Sequence, residues 1–245
     1  MGTYTLVFAV VIVLLAAFVR AVSGFGYALL ATPLLTFVFE AKSVVVMNVI
    51  LAGVTSVLLL FQMRRHVDIR RVAFMGLGSI LGVPIGAYLL SRLDPSIIKL
   101  AIAVLVIPFS ILLLLGHSYQ FKRDTLICGV AGFISGILGA STSLSGPPVV
   151  LFLLNQGLVT QRFVGTLAAY FLFIGIISIG AFSSLGMVTT GLLTRVAILL
   201  PPLFLGTYVG IKVLPRINAD LFRRIVSSLV SVTALVIIVS VLMDL

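Results

Sequence analysis

Runs of about twenty apolar residues, separated by short loops, recur along this chain, and no other feature restricts its fold as strongly. In lipid such a run satisfies its backbone polar groups only as a helix. The runs at 4–22, 43–61, 72–90 and 97–115 are of spanning length or nearly so, and the second half renews the pattern. The expectation is an all-α polytopic membrane protein with roughly six to ten spans. With 9% of 245 residues charged, against about 25% in a soluble domain, a soluble fold is excluded. A net charge of +10 would suggest nucleic acid in a soluble protein, but here the basic residues lie mainly in short loops, where they orient a membrane chain. The expected partners are therefore the lipid bilayer and a small solute, with no nucleic acid; a homo-oligomer stays open. A single cysteine, Cys128, excludes an internal disulfide or a dithiol relay. The first run lacks a basic leader and a small-residue cleavage site, so it is expected as a retained helix rather than a signal peptide.

Two helix-breaking stretches interrupt the apolar pattern. One is Gly139-Ala140-Ser141-Thr142-Ser143-Leu144-Ser145-Gly146-Pro147-Pro148, the other Ser23-Gly24-Phe25-Gly26. Proline supplies no N–H, glycine lets the backbone open, and serine and threonine can line a site. At membrane depth such backbone is tolerated only where protein buries it or a water-filled cavity faces it, which makes the first stretch a candidate binding site. A tight extramembrane turn is the competing reading.

The halves answer one another. A shift of 115 residues sets Phe18 on Phe133, Gly24 on Gly139, Leu29 on Leu144 and Pro33 on Pro148. A shift of 124 sets Gly82 on Gly206, Gly86 on Gly210, Leu90 on Leu214 and Arg92 on Arg216. Two transmembrane repeats, 1–118 and 119–245, are expected, with broken or re-entrant helices near the midplane. About five segments per half is an odd number, so the repeats should be inverted. The loop at 62–71 is strongly basic and its counterpart at 184–191 uncharged, whereas the weakly charged loop at 91–99 is answered by Lys212, Arg216, Arg223 and Arg224. The positive-inside rule then places both termini outside. The spacing of Gly82 and Gly86 predicts close helix packing.

Gly24-Phe25-Gly26 leading to Pro33, Ser135-Gly136-Ile137-Leu138-Gly139 leading to Ser145-Gly146-Pro147-Pro148-Val149-Val150-Leu151-Phe152-Leu153, and the Gly82/Gly86 and Gly206/Gly210 segments resemble the TauE/SafE family, the toluene-sulfonate uptake permeases. The resemblance covers nearly the whole chain. It implies a multi-pass protein of a bacterial or archaeal plasma membrane that moves sulfite, sulfoacetate or other organosulfonate anions, mostly outward. Its glycine-based motifs specify the family better than the substrate. Tyr27 and Ala28 depart from the pattern, standing where more glycine is expected after Gly26.

The residues point the same way without naming a sulfonate. Glu40, Asp68, Asp94, Asp124, Asp220 and Asp244 all fall at expected loops or termini, and His66 and His117 at segment ends. Proton relays and metal pathways usually need such groups inside the membrane, so a metal or cation transporter is disfavoured and no cofactor is expected. A serine hydrolase would need a base within a span, and none is present, so the protein is not expected to be an enzyme. Hydroxyls, amides and helix N-termini suit an anion. Ser141, Thr142, Ser143 and Ser145 are the candidate donors, with Gly139 and Gly146 opening the backbone and Gly24 and Gly26 as their counterparts. Arg20 either pairs with the substrate at mid-depth or marks a cytoplasmic end. Asn48 and its approximate counterpart Thr166 either face a cavity or glue helices together. Tyr27 and Tyr170 read as gates or interface anchors, and Arg162 as a positive-inside marker. With no evident proton carrier, the expected mechanism is potential-driven uniport; an importer coupled to sodium or protons and an anion channel are the alternatives.

Overall fold

The computed structural model describes residues 2–102, 104–105 and 124–214. Helices α1 (Thr3–Ser23), α2 (Tyr27–Leu35), α3 (Ala41–Met63), α4 (Ile69–Arg92) and α5 (95–102) precede α6 (Asp124–Thr142), α7 (Gly146–Leu154), α8 (Thr160–Ser184) and α9 (Thr190–Val213). Of these, α1, α3, α4, α6, α8 and α9 are long and apolar enough to cross a membrane. The expectations for His117, for Arg216, Arg223 and Arg224, for Asp220 and Asp244, and for most of the run at 97–115 lie outside the described residues.

Helices α3 and α8 pack together, approaching closely where Gly175 faces Gly53. Two parallel pairs, α1 with α9 and α4 with α6, accompany them. Each pair is seated by glycine. A Cβ at Gly82 would collide with the carbonyl of Phe133 and one at Gly86 with that of Ile137; likewise Gly206 lies on the carbonyl of Leu14 and Gly210 on that of Phe18. Other faces of these helices are greasy: Val7, Phe8, Val11 and Leu15 on α1, and Leu77, Leu81 and Tyr88 on α4, are exposed. Such faces are stable against lipid and not against water.

Equal spacings recur among the elements of the two halves. Helices α2 and α7 both have nine residues and begin 119 positions apart, at 27 and 146; α3 and α8 begin at 41 and 160, again 119 apart. Leu14 and Phe133, on which Gly206 and Gly82 sit, are also 119 apart. These elements thus recur at a spacing of 119, four residues or about one helical turn from the 115 of the sequence matches. At 119, Gly24 falls on Ser143 and Gly26 on Ser145. Gly82 and Gly206, which are 124 apart, each sit on a backbone carbonyl.

Polar contacts define two ends of the bundle. At one, the Asp68 carboxylate caps α4 and accepts from Arg71 at 2.9 Å and Arg162 at 3.2 Å, while Arg71 reaches Gln156 at 3.0 Å. At the other, Lys42 donates to the Ser91 carbonyl at 3.1 Å and Arg195 lies over Phe39.

Candidate functional site

Both breaks are built by left-handed backbone. Helix α1 stops at Gly24 (φ 80°), whose N–H bonds the Arg20 carbonyl at 2.7 Å, and α2 starts after Gly26 (φ 92°). Helix α6 stops at Ser143 (φ 63°), whose N–H bonds the Gly139 carbonyl at 2.9 Å. Glycine takes these angles freely; serine is strained in them. The prolines do not interrupt a helix here. Pro147 and Pro148 sit in the first turn of α7, where an N–H has no intrahelical acceptor. They leave α7 with few amide donors at its start. Helix α2 has none of this loss: the amides of Tyr27, Ala28 and Leu29 begin a helix without intrahelical acceptors.

Between the breaks lies a small recess, with about 40 Å³ open to the centre of a water-sized sphere, partly open to its surroundings. Gly26, Ala28 and Leu29 line it from the first break, and Gly139, Ser143, Ser145, Gly146 and Pro147 from the second. Helix α3 contributes Val49 and Ala52, and α8 contributes Phe171, Ile174 and Gly175, with Ser178 a turn beyond. The α3 residues and Phe171 to Gly175 fall in the middle stretches of their helices, so the recess is deep in the bundle.

Arg20 is the one charged side chain lining the recess among the described residues, and it is only 4% exposed. Its Nη2 donates to Ser56 Oγ at 2.6 Å, and Ser56 in turn donates to the carbonyl of Ala52. The guanidinium lies 4.9 Å from the centre of the Phe171 ring, and Nε has no hydrogen-bond partner. No carboxylate among the described residues pairs with it. A buried cation left this way is costly unless an anion answers it.

A buried relay brings a second donor to the recess. Asn48 Nδ2 donates to Thr32 Oγ1 at 3.0 Å, and Thr32 Oγ1 lies 2.6 Å from Ser143 Oγ. Asn48's amide nitrogen only donates, while either hydroxyl can be the donor between Thr32 and Ser143, so the Ser143 proton can go to Thr32 or turn to the recess that Ser143 lines.

Other candidates are placed elsewhere. Ser141 Oγ bonds the carbonyl of Ile137 and Thr142 Oγ1 that of Leu138, both at 2.7 Å, and neither residue lines the recess. Gly24 packs on Val164 and Leu167. Asn48 stands one residue behind the lining, and Thr166 accepts the N–H of Asp68 at 3.0 Å, anchoring the loop before α4. Tyr170 bonds Ser79 at 2.8 Å. Ser56 and Ser178 carried a usable signal as hydroxyls within apolar runs. Phe171 carried none, since nothing sets it apart in sequence from its aromatic neighbours Tyr170 and Phe173.

Lipid-facing helices around a recess that holds an unanswered cation between two broken segments are the makings of a membrane transporter for anions. The sequence model of the Sulfite exporter TauE/SafE family matches residues 9–237, nearly the whole chain, and the protein belongs to that family of membrane transporters. No curated protein and no solved structure matches it.

Proposed function

We propose that this protein exports small sulfur-containing anions, sulfite or an organosulfonate such as sulfoacetate, across a bacterial or archaeal plasma membrane. The observation that carries the reading is Arg20, buried without a carboxylate in the recess between the breaks. Sulfur oxyanions accept several hydrogen bonds, and Arg20, Ser143, Ser145, Ser178 and the first amides of α2 are disposed to donate them. The substrate crosses unaltered, without catalytic residues.

Residues 1–118 and 119–245 act as two inverted repeats. Their support is the exchanged packing of α1 on α9 and α4 on α6, with glycines set on equivalent carbonyls. Helices α2 and α7, about 14 Å long by rise per residue, are too short to cross a hydrocarbon core of about 30 Å. They serve as the returning arms of re-entrant hairpins. The end bearing Arg64, Arg65, Arg70, Arg71 and Arg162 faces the cytoplasm and both termini face outward.

Export proceeds by uniport driven by the membrane potential. Moving a monoanion outward from a negative interior releases about 2.3 kcal/mol per 100 mV. In proteoliposomes loaded with sulfite, a valinomycin-set potential, inside negative, should accelerate efflux with no sodium or pH gradient present. Efflux that ignores the potential and follows an imposed sodium or proton gradient would replace uniport with coupling; non-saturable flux would replace the carrier with a channel.

A further inference from the structure

The charge balance of the recess bears on which ionic form it accepts. Among the described residues Arg20 supplies one positive charge, and the remaining lining is hydroxyl, amide or apolar, with Leu29, Val49, Ala52, Phe171 and Ile174 making much of the wall. No other described cation lines the recess: Arg71 and Arg162 are held by Asp68, Lys42 donates to Ser91, and Arg195 lies over the face of Phe39. One negative charge entering the recess is answered by Arg20. A second would stand unpaired at low dielectric, where desolvation outweighs what hydroxyl dipoles return.

We infer that the recess admits singly charged sulfur oxyanions and rejects doubly charged ones, so that sulfite passes as hydrogen sulfite and, of the substrates proposed above, sulfoacetate, a dianion at neutral pH, is excluded while singly charged sulfonates are kept. This rests on the transporter reading above and adds a rule about valence. The pH dependence it implies belongs to the substrate. Tyr27 of α2 is the titratable group near Arg20. Helix α3 presents Ser56 to it and α8 presents Phe171, while Tyr170 turns to Ser79. On α9, Lys212 lies over Tyr208 near the end of the helix. Exposed His66 sits in the loop beyond α3. Neither a phenol nor a guanidinium ordinarily changes charge from about pH 6 to pH 9.

The test uses the wild-type protein in proteoliposomes at fixed potential, with the same pH on both sides and three probes. Sulfite takes up or loses its second proton across this range, methanesulfonate stays singly charged, and sulfate stays doubly charged. At subsaturating substrate, sulfite flux should fall about tenfold per pH unit above its second ionisation. Methanesulfonate flux should stay flat, and sulfate in large excess should leave both unchanged. A flat sulfite profile, a parallel fall for methanesulfonate, or competition by sulfate equal to that of methanesulfonate would each overturn the valence rule while leaving an anion transporter in place. If neither sulfite nor methanesulfonate moves at any pH, the transporter reading fails and the rule fails with it.

Discussion

Arg20, Ser143 and Gly146 line the recess, and each answers a different substitution. Arg20 is buried without a carboxylate, so its charge opposes folding more than it assists it. Arg20→Gln should leave the melting temperature in detergent unchanged or higher, as happens when a strained functional group is removed; a clear drop would make Arg20 structural. Ser143→Gly relieves the positive φ while deleting the hydroxyl. It should weaken sulfonate binding by about 1.5–3 kcal/mol, the scale of a hydrogen bond to a charged group, and calorimetric titration would measure the change. Ser141→Ala, whose hydroxyl is spent on its own helix, should bind like wild type. At Gly146 a Cβ would meet nothing nearer than Val150 at 3.9 Å. Gly146→Val should therefore fold, occupy the recess and stop transport, which melting and flux measured together would establish.

Among the elements, the glycine-seated pairs α4 with α6 and α1 with α9 bear the packing. Gly82→Leu and Gly206→Leu force side chains into backbone carbonyls and should each cost at least about 1–3 kcal/mol, read as lower melting temperature and yield. Gly180→Ala meets nothing within 4 Å and should be neutral or stabilising by up to about 1 kcal/mol. Close packing at Gly82 and Gly86 was legible from their spacing, but their partners on α6 were not, because apolar helix faces look alike in sequence. The first break was legible from Gly24 and Gly26, and the second from the polar run that Pro147 and Pro148 close. How the two breaks correspond is less legible, because a helix repeats its face about every four residues. Arg20 was ambiguous for a related reason: sequence gives its distance from the break, while the ring of Phe171 and the hydroxyl of Ser56 that hold it inside come from distant helices.

For the molecule as a whole, the spans and their lipid solvent follow from the apolar runs, and the site follows from how the two halves meet. Orientation can be checked in a Cys128→Ala background. His66→Cys should resist an impermeant thiol reagent added outside intact cells and Thr189→Cys should react; equal labelling would contradict the inverted topology. The central claim is that one buried arginine between two broken helices binds the anion that is carried. It is tested most directly by potential-driven sulfite flux in proteoliposomes containing equal amounts of folded wild type, Arg20→Lys or Arg20→Gln. The account predicts saturable efflux from wild type, slower efflux from Arg20→Lys, which keeps the charge without the planar contact to Phe171, and background flux from Arg20→Gln. Wild-type rate and affinity in Arg20→Gln would contradict it.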